Sequence, residues 1–172
     1  VVSSVHNNMF ILTKVEKRAQ LRRFISMEFD DLYFMRQAIR EAVKAFEEDE
    51  VPVGAVIVSK NKIIARGYNR TERLKDVTAH AEMQAITSAS NYLGAKYLND
   101  CTLYVTLEPC SMCAGAIFWS QMDRVVYGAT DFKRGFNALG TNLHPKTKIS
   151  KGIEEEICAD LLSDFFRKKR IK

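Results

Sequence analysis

Thr102-Leu103-Tyr104-Val105-Thr106-Leu107-Glu108-Pro109-Cys110-Ser111-Met112-Cys113-Ala114-Gly115-Ala116 is the stretch on which the fold turns. Thr102 to Leu107 is rich in β-branched and aromatic residues and reads as a strand. Pro109 stops it, because the ring lacks an N–H to donate, and its fixed φ suits the first residue of a helix. That helix is predicted to run from Pro109 to about Ser120, and Arg124 to Tyr127 follows as another strand.

Upstream, Val53 to Val58 is a short apolar run with one glycine, read as a strand buried on both faces. Lys60-Asn61-Lys62 is a tight turn into Ile63 to Tyr68, so these two strands form a hairpin. Leu32, Met35, Ile39, Ala42, Val43 and Phe46 recur at helical spacing, and Ala85, Ile86, Ala89 and Leu93 mark a second helix from Ala79 to Leu93. Ile149 belongs to a short fifth strand. Ile153, Ile157, Leu161, Leu162 and Phe165 mark the last helix, with one of Phe165 and Phe166 expected inside and the other more exposed. A hairpin followed by helix–strand alternation implies an α/β domain, a mixed sheet of about five strands with helices on both faces.

The 172 residues suit one domain of roughly ordinary size. With 47% hydrophobic and 27% charged residues, the chain is neither disordered nor fibrous. Four cysteines are too few for a disulfide scaffold, and the longest early apolar run, Met9 to Leu12, is far too short for a membrane span. A cytoplasmic protein is expected, with no membrane partner. Residues 1–26 carry five Lys/Arg against one acid, Glu16. They read as a basic extension ahead of a start at Met27, in preference to a transit peptide or a helical arm, leaving 27–172 as the domain. The net charge is +5, and Arg167, Lys168, Lys169, Arg170 and Lys172 crowd the C-terminus, which suits either a solvated tail or a polyanion partner.

Cys110 and Cys113 would share one face at a helix N-terminus, where N–H groups and the helix dipole favour thiolates. The spacing suits metal binding or a redox dithiol. His80 favours the metal, because it opens its own helix after a comparable turn. Residues two apart do not share a helix side, but in a first turn His80 and Glu82 can both address a point beyond the helix end. Catalytic zinc takes three protein ligands and leaves a fourth place for water. Of the other candidates, Cys101 lies at the far end of its strand, roughly 15–20 Å away. Cys158 falls among apolar residues of the last helix, and His144 sits in a loop. The prediction is an open site of His80, Cys110 and Cys113, in which zinc activates a water and Glu82 shuttles its proton.

H-x-E…P-C-x-x-C, here His80-Ala81-Glu82 and Pro109 to Cys113, is the signature of zinc-dependent nucleobase deaminases. More closely, the chain resembles the bacterial tRNA-specific adenosine deaminases from about Asp31 to Arg170. The sharpest stretches are Glu50 to Val56, Thr78 to Glu82, Leu103 to Ala116, Arg124 to Ala129 and Leu161 to Arg167. The resemblance implies the three-layer α/β/α cytidine-deaminase-like fold, one zinc per subunit, and conversion of adenosine to inosine at the wobble position of a tRNA anticodon stem-loop. It further implies that Asn69 contacts the flipped base, that Asp131 lies near its ribose, that the enzyme is a homodimer and that the C-terminal helix follows the RNA. Without it, Asn69 could simply cap a turn and Asp131 could be an ordinary loop acid. After Asp131 the chain departs from the family, reading Phe132-Lys133-Arg134-Gly135-Phe136-Asn137-Ala138-Leu139-Gly140, so no role is carried over there. Two rival functions are a deaminase of free guanine, cytosine or a nucleoside, and a zinc module that binds RNA without chemistry.

Overall fold

The computed structural model describes residues 30–171, so the basic segment 1–26 lies outside the described residues. The elements are α1 (Asp31–Glu47), β1 (Gly54–Ser59), β2 (Lys62–Tyr68), α2 (Thr71–Leu74), α3 (Ala81–Leu93), β3 (Cys101–Leu107), α4 (Ser111–Trp119), β4 (Arg124–Ala129), β5 (Lys148–Lys151) and α5 (Glu155–Ile171). They form one five-stranded sheet in the order β2-β1-β3-β4-β5. β1 pairs antiparallel with both β2 and β3, while β3, β4 and β5 run parallel, so the sheet is mixed as expected.

Local chemistry explains the elements. Asp30 caps α1 by accepting the Tyr33 N–H at 2.8 Å. Lys60 and Asn61 have φ of 49° and 60°, the left-handed pair that a two-residue hairpin turn requires. β1 is buried on both faces through Val58, matching its unbroken apolar run. On one side of the sheet Ala55, Ile57, Leu103, Val105 and Val125 pack against Ala81, Ala85, Ala114 and Ile117 of α3 and α4. On the other, Val56, Val58, Tyr104 and Val126 meet Phe34, Met35 and Ala38 of α1 and Cys158 of α5. Apolar side chains from alternating strand positions therefore build two cores, and the domain has three layers.

Two helices begin later than their sequence pattern predicts. Pro109 is not the first residue of its helix: Cys110 is the N-cap, with extended φ and ψ of −73° and 172°, and Pro109 precedes it. The proline thus sets the entry into the cap, and Cys110 leaves the strand in a conformation no helical residue has. Likewise α3 begins at Ala81 rather than Ala79, with His80 as its N-cap at φ −71° and ψ 156°. α2 carries no periodic apolar face and was not foreseen.

Candidate metal centre and cleft

α3 and α4 aim their N-termini at one point. Their caps are His80 and Cys110, each with a backbone carbonyl accepting the first helical bond, from Gln84 at 3.0 Å and from Ala114 at 2.8 Å. Cys113 lies one turn into α4 and is fully buried. His80 Nδ1 stands 3.7 Å from Cys110 Sγ and 3.6 Å from Cys113 Sγ. Tetrahedral zinc with bonds near 2.3 Å to sulfur and 2.0 Å to nitrogen would hold such atoms about 3.6 Å apart, so the trio fits the ion. Among the described residues it is the single group of three or more His, Cys, Asp or Glu with ligand atoms this close.

The excluded candidates lie where expected. Cys101 opens β3 at the strand end away from Cys110, and Cys158 is buried in the core on the opposite side of the sheet. His144 packs edge-on against Phe118, ring centroids 5.5 Å apart, and its Nδ1 accepts the Lys146 N–H at 3.4 Å.

The electrostatics suit a cation site. Hydrogen bonding from Cys113, opposed by burial and aided by His80, pulls the Cys110 thiol down to about 3, in the direction that favours the metal-binding thiolate. The same contact, with burial, pushes the Cys113 thiol up, and coordination to a dication deprotonates such a thiol outright. Hydrogen bonding to Cys110 raises His80. Glu82 is 3% exposed, and burial raises its pKa above the usual carboxylate range. The strand β2 helps place it: a Cβ on Gly67 would strike the Ala81 carbonyl at the start of α3, so only glycine allows this approach.

These groups open onto a cleft of about 680 Å³, walled also by Asn69, Glu108, Asp131 and Phe166. Asn69 has a capping role and a place in the cleft wall. It lines the cleft, and its Oδ1 accepts the Ala81 N–H at 3.2 Å, capping α3. Asp131 also closes a turn, its Oδ1 accepting the Lys133 and Arg134 N–H groups at 2.9 Å each. Phe165 is buried at 4% exposure and packs against Phe46, whereas Phe166 is 46% exposed in the cleft wall.

Besides Glu82, three buried carboxylates give no signal of their burial in the sequence; one, Glu41, 3% exposed, pairs with Lys44 and Arg66 on α1 and β2. Glu50, 1% exposed, accepts the Glu72 and Arg73 N–H groups at 3.1 and 2.7 Å and the Thr71 hydroxyl at 3.2 Å, which holds α2 in place. Glu108, 2% exposed, binds the loop after Asp131. Only the position of Glu108 beside a ligand could have signalled it.

Residues 28–129 match the sequence model of the cytidine and deoxycytidylate deaminase zinc-binding region. The chain is 48% identical to a tRNA-specific adenosine deaminase of Aquifex aeolicus, over 80% of this chain and 95% of that protein. A tRNA-specific adenosine deaminase of Bacillus subtilis is 46% identical, over 85% and 94%. A solved structure from work on A-to-I editing by tRNA:A34 deaminases at the wobble position is 43% identical. It superposes with a TM-score of 0.69, covering 76% of this chain and 99% of that one.

Proposed function

The chain belongs to the tRNA-specific adenosine deaminases, within the cytidine and deoxycytidylate deaminase zinc-binding family, and from that premise we propose that it hydrolyses adenosine to inosine at the anticodon wobble position of tRNA. Water supplies the new oxygen on C6 of the base, and the exocyclic amine leaves as ammonia. The observation that carries the chemistry is Glu82, a buried carboxylate on the first turn of the helix capped by His80, facing the cleft.

Zinc, one ion per subunit, would be held by His80 Nδ1, Cys110 Sγ and Cys113 Sγ, and would supply an activated water by lowering its pKa from about 15.7 towards 7. Glu82 accepts one proton of the water at its carboxylate and delivers it to ring N1, then takes the second from the new C6 hydroxyl and gives it to the departing amine. Its raised pKa suits a group that must both take and give. Asn69 spends Oδ1 on Ala81, leaving its Nδ2 donor for the edge of the base. Asp131 spends Oδ1 on the turn, leaving Oδ2 for a ribose hydroxyl. An anticodon loop offers unstacked bases that can enter such a cleft, and Lys133 and Arg134 stand at its rim. Residues 27–172 make up the deaminase domain, and 1–26 are a basic extension to it.

Phosphate contacts should make activity salt-sensitive. On an anticodon stem-loop, kcat/KM is expected to fall about tenfold for a fourfold rise in salt if two or three phosphates are engaged. Steady-state kinetics across a salt series reads this, and a flat response would contradict an RNA substrate.

A homodimer fits α4, whose nine residues include no charge and only three buried positions, Cys113, Ala114 and Ile117. Trp119 at its end is 77% exposed. An uncharged, half-uncovered helix suits a second copy of the chain. Trp119→Glu is expected to shift sedimentation from dimer to monomer, and an unchanged dimer would remove α4 from the interface. Four free cysteines suit a reducing compartment, and we place the protein in the cytoplasm. Among the described residues, no helix is long and apolar enough to cross a membrane.

A further inference from the structure

Glu108 follows the last residue of β3, directly before Pro109 and the first cysteine ligand, yet it is 2% exposed. A buried carboxylate is costly unless its oxygens accept hydrogen bonds. One segment supplies them. Oε2 accepts the Asp131 N–H at 3.2 Å, and Oε1 accepts both the backbone N–H and the side-chain Nδ2 of Asn137, each at 3.0 Å. Asn137 Nδ2 also reaches the Tyr127 hydroxyl at 3.3 Å.

Further contacts close the strap. The Phe136 N–H donates to the Pro109 carbonyl at 2.9 Å, and Phe136 is buried at 3% exposure, edge-on to Tyr127 at 6.2 Å. Gly135 passes so near that a Cβ there would strike the Glu108 carboxyl. Segment 131–137 is therefore tied to the same turn that supplies Cys110. It is also the rim of the cleft: Asp131, Phe132, Lys133 and Arg134 all line the opening, and Phe132 is 86% exposed.

We infer that Glu108 and Asn137 form a latch, two positioning residues that hold the rim against the metal-ligand turn and set affinity for RNA without touching the reacting atoms. This rests on the reading of RNA as substrate. An exposed aromatic ring beside two cations has the chemistry to stack an unpaired base and contact its phosphates. While the latch holds, these groups are already in place; once it is released, binding must also order them. Glu82 and Cys113 sit on α3 and α4 and His80 caps α3, none of which the Asn137 side chain supports, and the Cys110 turn keeps its backbone bond from the Phe136 N–H to the Pro109 carbonyl when that side chain is removed. Loss of the latch should therefore act on KM and spare kcat.

Two variants test this in the zinc-loaded full chain. Asn137→Ala removes the side-chain bonds alone. Glu108→Gln keeps the acceptor for Asn137 but turns a donor towards the Asp131 N–H. Amide hydrogen exchange should be slow at Gly135, Phe136 and Asn137 in the parent and roughly tenfold faster in both variants, with α3 and α4 unaffected. For an anticodon stem-loop, KM should rise about tenfold while kcat stays within about twofold and zinc content is unchanged. Fast exchange in the parent, an unchanged KM in both variants, or a loss confined to kcat would overturn the proposal. The exchange result decides the latch on its own, whereas a parent chain inactive on the stem-loop would overturn the RNA reading and the affinity role with it.

Discussion

Glu82→Gln should lower deamination roughly 10²–10⁴-fold, the range set by general acid–base catalysis, while leaving zinc content and fold intact. Glutamine keeps the volume of the side chain but cannot carry the proton between water, ring nitrogen and amine. Glu82 itself is nearly buried at the floor of the cleft, at 3% exposure, so bulk water cannot easily take over the shuttle. Glu82 is absent from the ligand trio, and the metal should remain bound. Glutamine matches glutamate in volume, so the melting temperature should stay close to the parent's. The two readouts are inosine formation under single-turnover conditions and metal analysis. Full activity in this variant would reject the shuttle and restore the RNA-binding zinc module as a reading; lost activity together with lost zinc would mean that Glu82 supports the metal.

Cys113→Ala should lose the metal, and stability with it. The thiol is fully buried, 3.6 Å from His80 Nδ1, where α3 and α4 converge. Two ligands on separate helices cannot hold zinc as three do, and the metal's binding free energy is also folding free energy. With free zinc a thousandfold above its dissociation constant, that linkage is worth about 4 kcal/mol. A domain of this size would then melt roughly 8–16 °C lower. Thermal melts of both chains, with and without a chelator, check it: chelation should bring the parent down to the variant and leave the variant unmoved. A variant that keeps one tightly bound zinc, or a parent indifferent to chelation, would contradict the ligand assignment.

What was legible in the sequence was what local rules decide. The unbroken run Val53 to Val58 announced a strand buried on both faces, and the residues at 60 and 61 announced the hairpin. His80, Glu82, Cys110 and Cys113 were legible because metal chemistry restricts residue type and spacing together, and the structure brings the three ligand atoms within 4.8 Å of one another. The helix expected to begin at Pro109 begins two residues later, at Ser111, since local pattern does not say which residue turns as the cap. The larger omissions depend on distant partners. α2 is held by Glu50, some twenty residues upstream. Glu108 at a strand end reads as an ordinary solvated acid until the loop from Asp131 to Asn137 folds over it. Asn69 shows the limit differently: base contact and capping a turn are its two readings in the sequence, and the fold shows a cap, on the helix α3 rather than on a turn, from a side chain that also lines the cleft.

The central claim is that this zinc site works on adenosine within an RNA loop. It is tested most directly by incubating the zinc-loaded chain with anticodon stem-loops bearing adenosine at the wobble position, and separately with guanine, cytosine and free nucleosides, scoring inosine and ammonia. The account predicts one inosine per stem-loop at the wobble position, none with Glu82→Ala, and negligible ammonia from the free bases and nucleosides. Robust turnover of guanine or cytosine, with no inosine in any stem-loop, would contradict it.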